Sequence, residues 1–88
     1  MNIKREKSFI KDFSKTKLAD SQFEKLIHYI SLLAKEQPLP PESLEHALHG
    51  EYVGYREFHI GGDMLVIYKI IDDTLYISRL GTHAQLFE

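Results

Sequence analysis

Three apolar runs joined by two-residue connections occupy the C-terminal part of the chain, and that spacing constrains the fold more than any other feature. Residues 55–60 end at Gly61-Gly62, Asp63 opens a second run that continues through residues 64–71 to Asp72-Asp73, and residues 74–80 follow. The runs are rich in β-branched and large apolar side chains, which suit a pleated, half-buried surface. A two-residue connection leaves no length for a crossover, so successive strands are adjacent and antiparallel. The first half has a different period. Phe9, Ile10 and Phe13 fall at helical spacing with lysines between them. After Asp20-Ser21, a region suited to capping a helix, Phe23, Leu26, Ile27, Ile30, Leu33 and Ala34 form a stripe of period 3.6. Pro38, Pro40 and Pro41 end that helix. Residues 2–6 are long enough for an edge strand. The expected order is β-α-α-β-β-β, an α+β domain with two N-terminal helices packed on one face of a mostly antiparallel four-stranded sheet. Residues 37–54 show little periodicity and read as a long loop, a kind of segment that is often functional in a small domain.

With 88 residues, 43% of them hydrophobic and 27% charged, the chain suits a single domain over residues 1–88. It has no cysteine, which excludes disulfide staples and thiolate chemistry. No apolar stretch approaches the roughly 20 residues that span a bilayer. The basic N-terminus has no apolar run behind it, so no secretory signal is expected there. A cytoplasmic protein without a membrane partner is the expectation. The net charge of −2 is not that of a nucleic-acid binder, but its distribution is uneven. Residues 1–17 carry six basic and two acidic side chains, a net of +4, whereas residues 18–88 carry five basic and eleven acidic ones, a net of −6. One end of the molecule can therefore attract phosphate, or simply present a solvated basic helix face.

Four of the five histidines, His46, His49, His59 and His83, lie in the second half. Imidazole in water titrates at about 6.5, so histidines without cysteine suggest acid–base chemistry or a metal site. Strand alternation places Tyr55, Glu57 and His59 on one sheet face and Arg56 and Phe58 on the other. Asp63 lies across a tight turn from His59. Arg79, near the end of the last run, reads either as a bidentate phosphate ligand or as a cross-strand partner of Glu57. Phe87, at the extreme C-terminus, reads either as a core cap or as a ring available to a ligand. His28 reads as structural or exposed, and Tyr68 and Tyr76 as sheet packing. His46 and His49 have the spacing of a metal pair, but no third and fourth ligands are fixed, so no metal is expected.

Taken in order, these residues resemble a known family. The runs His46-Ala47-Leu48-His49-Gly50, Gly54-Tyr55-Arg56-Glu57-Phe58-His59, Asp63 with Leu65-Val66-Ile67-Tyr68-Lys69, and Arg79 through Phe87 are similar to the YafQ branch of the RelE/ParE toxin superfamily. The likeness is close over residues 46–87 and is one of pattern and length over the N-terminal helices. It implies a RelE-like fold. It also implies a ribosome-dependent endoribonuclease toxin of a type II toxin–antitoxin system, acting on messenger RNA and held by an antitoxin encoded nearby. On that resemblance His46, His59, Asp63 and His83 match the principal catalytic positions, and Arg79 and Phe87 supporting ones. Glu57 stands where the best-known member has an aspartate.

RNA is cut without a cofactor when a base takes the 2′-hydroxyl proton, an acid protonates the 5′-oxygen and positive charge meets the phosphorane. His83 is expected as the acid. His46 or His59, oriented by Asp63 or Glu57, would assist deprotonation, and the labels are exchangeable among the histidines. Arg79 would stabilise charge, and Phe87 would position a base. Lys4, Lys11 and Lys15 are candidate contacts to ribosomal RNA. Two rival readings are a ParE-like toxin that binds a protein target such as a topoisomerase, and a small metal-binding domain.

Overall fold

The computed structural model describes residues 1–87. Its elements are β1 (Asn2–Arg5), α1 (Lys7–Lys15), α2 (Asp20–Ala34), β2 (His46–Ala47), β3 (Arg56–Gly61), β4 (Met64–Ile71), β5 (Thr74–Thr82) and α3 (His83–Phe87). Single 3₁₀ turns at Pro41–Ser43 and Gly50–Tyr52 flank β2. The α+β class and the helix-then-meander order agree with the sequence, but the sheet has five strands rather than four, in the order β1-β5-β4-β3-β2. The additional strand comes from the segment expected to be a loop. Its two residues pair with β3 through His46 opposite Glu57 and Ala47 opposite Arg56, too short a run to show periodicity. β1 pairs with β5 in parallel, and the remaining pairs are antiparallel.

Helix α2 ends where the prolines require. Glu36 takes a left-handed conformation (φ 59°), and the N–H groups of Gln37 and Glu36 close back onto the carbonyls of Leu32 and Leu33. That pattern satisfies carbonyls left open at a helix end. Its stripe is only partly covered. Leu26 and Tyr29 are buried, whereas Phe23 and Ile27 stay exposed.

The turn between β3 and β4 lies one residue later than the Gly61-Gly62 expectation. Ile60 is the extra residue of a bulge, so Gly61 still pairs with Met64 and the connection is Gly62-Asp63. Gly61 has φ 118°, open to glycine alone in practice. The Asp72-Asp73 turn is as expected.

The sheet has two unlike faces. On one, Phe9 of α1 and Leu26 and Tyr29 of α2 pack against Phe58, Ile60, Val66, Tyr68, Leu75, Ile77 and Leu80. On the other, Leu65 and Ile67 pack against Leu86 of α3, with Leu48, Tyr52 and Tyr55 at the margin. A second bulge sets what this face carries. Ile77 pairs with Tyr68, yet Arg79 pairs with Ile67, so Ser78 is the extra residue. Simple alternation from Leu75 and Ile77 would aim Arg79 at the helices. The bulge returns Leu80 to the core and turns Arg79 to the Leu65 and Ile67 side.

Beyond the end of β1, the Glu6 backbone and then side chains of α1 continue the hydrogen bonding along the outer edge of β5. The Glu6 N–H donates to the Ile77 carbonyl, the Ser8 hydroxyl donates to the Ser78 carbonyl, and Asp12 accepts from the Leu80 N–H. The edge is thereby satisfied without a longer β1. Among the described residues, no helix is long and apolar enough to cross a membrane.

Candidate active site

The short strand β2 and the 3₁₀ turns bring the histidines of the loop segment to the face opposite the long helices. Glu57 lies at the centre, only 1% exposed. One of its oxygens, Oε2, meets Nε2 of His59 at 2.9 Å and Nε2 of His46 at 3.4 Å. A carbonyl oxygen only accepts, so the 2.8 Å contact of His46 Nδ1 with the Leu44 carbonyl puts a proton on Nδ1. His46 then bonds to Glu57 only as an imidazolium. His59 needs one proton, on Nε2, and as a neutral ring keeps a lone pair on Nδ1.

The next part of the cluster comes from α3. Its first residue, His83, is half exposed, with Nδ1 3.6 Å from Asp63 Oδ1. Its ring lies 5.7 Å from that of His59 and 5.3 Å from that of Phe87. Phe87 is 41% exposed and stands edge-on to Tyr52, so it does not cap the core. The helix is fixed by a reciprocal cap. The Thr82 N–H donates to the Gln85 side chain, and the Gln85 N–H donates to the Thr82 hydroxyl. The Thr82-x-x-Gln85 spacing carried that signal in the sequence, and α3 was not anticipated from it.

Arg79 does not pair with Glu57, because β4 lies between β5 and β3. Its guanidinium is held by Asp12 of α1, Nε to Oδ2 at 2.7 Å and Nη2 to Oδ1 at 3.3 Å, and Nη1 lies 3.4 Å from the Tyr52 hydroxyl. The hydrogen bond to Asp12 is the main influence keeping the guanidinium protonated more firmly than usual. Asp63 lies against His83, and the partner of His59 is Glu57 of its own strand.

The structure therefore gathers His46, Glu57, His59, Asp63, His83, Arg79 and Phe87 on one side. Lys4, Lys11 and Lys15 are exposed on β1 and α1, outside that cluster. His49 lines a cleft with Glu51, Tyr52, Leu86 and Phe87 instead of pairing with His46. Among the described residues, no three His, Asp or Glu side chains gather as metal ligands do. Sequence reasoning passed over Asp12 and Tyr52. Asp12 is the single acid within α1, an oddity in a basic segment that pointed to a specific cation.

A model of the family described as bacterial toxin of type II toxin-antitoxin system, YafQ, matches residues 1–88. The chain belongs to the YafQ family. The mRNA interferase toxin YafQ of Escherichia coli strain K12 is 38% identical over 90 residues, covering 97% of this chain and 98% of that protein. The crystal structure of YafQ from Escherichia coli BL21(DE3) superposes with a TM-score of 0.87 at 33% identity, covering 99% of this chain and 98% of that one. The Escherichia coli DinJ-YafQ complex gives 0.84 at 34% identity, with coverage of 99% and 98%. The likeness spans the N-terminal helices as well as the C-terminal motifs, so the YafQ fold is shared over nearly the whole chain.

Proposed function

We propose that this YafQ-family toxin is an endoribonuclease that cleaves messenger RNA on the ribosome by general acid–base chemistry. The observation that carries the reading is the convergence of His46 and His59 on one buried oxygen of Glu57, with the His83 ring beside His59. A toxin that only binds a protein target needs no such convergence. In the proposed reaction His59 Nδ1 takes the proton of the 2′-hydroxyl, and that oxygen attacks the adjacent phosphorus. The bond to the 5′-oxygen breaks as His83 Nε2 delivers a proton to it. The His46 ring and the Arg79 guanidinium stabilise the charge that builds on the phosphorane, and Phe87 offers its exposed ring to an unpaired base. The products are a 2′,3′-cyclic phosphate, or its opened 3′-phosphate, and a 5′-hydroxyl.

The relative's complex with DinJ supports an antitoxin as the partner of this chain too. That antitoxin would cover the active site and the basic surface. Large apolar side chains left exposed around a groove, Ile3, Phe13, Phe23 and Ile27, add to this reading, since such patches mark interaction sites.

Expression of the parent and of His83→Ala in parallel tests the proposal. Growth arrest with message cleavage is expected for the parent alone, and equal toxicity of the two would sink it. Fragments ending in 3′-hydroxyl and 5′-phosphate would overturn the acid–base route in favour of metal-activated water.

A further inference from the structure

An arginine that is to stabilise a phosphorane must be aimed before the charge appears, because reorganisation at that moment adds to the barrier. Free in solvent, its long side chain samples many rotamers. Arg79 is not free. Asp12 takes its Nε and one Nη2 proton in a two-bond fork, which fixes the plane of the guanidinium as well as its position. The carboxylate is itself anchored. Its Oδ2 also accepts the Leu80 N–H at 3.0 Å, from the residue next to the arginine it holds. The ion pair joins residues 67 positions apart, and both side chains are largely shielded from solvent. The Nη1 protons and the second Nη2 proton remain uncommitted to Asp12. Nη1 is directed to the Tyr52 side, where Tyr52 meets Phe87.

We infer that Asp12 is a positioning residue for Arg79, presenting the outer edge of the guanidinium to the scissile phosphate. The inference rests on the nuclease reading above. It has a consequence that a mere tie between α1 and β5 lacks. Asp12 offsets the charge of Arg79 before RNA arrives, so the pair contributes little to ground-state binding. As the phosphorane gains a second negative charge, the aimed donors strengthen, and the benefit falls on kcat rather than KM.

The test is cleavage of a defined message bound to ribosomes, comparing Asp12→Asn, Asp12→Glu, Arg79→Ala and the double variant Asp12→Asn/Arg79→Ala. Asp12→Asn is expected to lower kcat by about 10- to 100-fold, the scale of a misaimed catalytic group. KM is expected to stay level or fall, since the freed positive charge still attracts RNA. Asp12→Glu keeps the carboxylate with one more methylene and is expected to lie between parent and Asp12→Asn. If Asp12→Asn does not fold, Asp12→Glu alone carries the test, and parent-like kcat in it overturns the inference. In the Arg79→Ala background, Asp12→Asn is expected to add no further loss, because its effect travels through the arginine. An equal loss in that background, or a raised KM with kcat unchanged, overturns the inference. So does full activity of Asp12→Asn beside an impaired Arg79→Ala, which leaves the nuclease reading standing. Full activity of Arg79→Ala removes both that residue's role and the role of Asp12.

Discussion

At the residue scale the centre of the site is Glu57, a carboxylate shielded from water and shared by two imidazoles through one oxygen. A buried carboxyl group needs partners that satisfy it, and here the partners are two imidazoles. Glu57→Gln keeps the volume but removes the charge that holds both Nε2 atoms, and its amide can present a donor where an acceptor is needed. On the proposed mechanism it is expected to slow single-turnover cleavage by about 100-fold or more, given what loss of the orienting carboxylate does in other imidazole-based sites. Glu57→Asp retains the charge with a shorter reach and is expected to lose less. Equal rates for all three proteins would remove Glu57 from the mechanism. The shared face of Glu57 and His59 was legible in the sequence, because β3 keeps its period of two up to His59. The placement of Arg79 was not. One extra residue at Ser78 inverts alternation after it, and no local pattern announced that bulge. Nor does local sequence pair Arg79 with Asp12, since that contact exists only once α1 lies along the edge of β5.

At the element scale, the long helices and the meander were legible because each spans several periods, whereas β2 and α3 span too few. These two short elements carry His46, His83 and Phe87, so their anchoring controls the site. The close approach of α3 to β5 depends on Gly81. A Cβ there would lie 2.9 Å from Gln85 Oε1 and 3.2 to 3.3 Å from Leu86 side-chain atoms. Gly81→Ala is therefore expected to destabilise the fold by about 1–3 kcal/mol, the range for overpacking, and to reduce cleavage by shifting His83. Thermal denaturation reads the first effect and message cleavage the second. The segment before β2 is pinned by Glu45, which accepts from Arg56 and from the hydroxyl of buried Tyr68. The Arg56 hydrogen bond is the main influence holding the Glu45 carboxyl below its ordinary range, opposed in part by burial, and the Tyr68 bond adds to the lowering. A carboxyl lowered by folding adds stability at pH values above its unfolded pKa, and that stability is lost as pH falls through the lowered folded value. Glu45→Gln is expected to flatten the acid limb of a stability–pH profile. An unchanged acid limb would show that this cluster contributes nothing to acid sensitivity.

At the scale of the whole molecule, the sheet separates two tasks. The long helices close the core on one face, and the candidate chemistry occupies the other with α3. The net charge of the chain hides a matching asymmetry, +4 in residues 1–17 and −6 in the rest. Within the basic segment Lys11 and Lys15 lie four residues apart on exposed α1, one turn of helix, and Lys4 is exposed on β1. Asp12, the acid between these two lysines, turns to Arg79, so it does not cancel them toward a distant polyanion. If the three lysines meet ribosomal phosphates, each contact releases condensed counterions, and affinity falls with salt in proportion to their number. Lys11→Glu with Lys15→Glu is expected to weaken ribosome binding and to flatten the plot of log affinity against log salt by between about 1 and 2. Adding Lys4→Glu is expected to flatten it further. Cleavage chemistry on ribosomes saturated with toxin should change little, because these side chains stand outside the imidazole cluster. Binding that keeps both its strength and its salt slope in the triple variant would show that the basic segment is a solvated face and that the ribosome meets the toxin elsewhere.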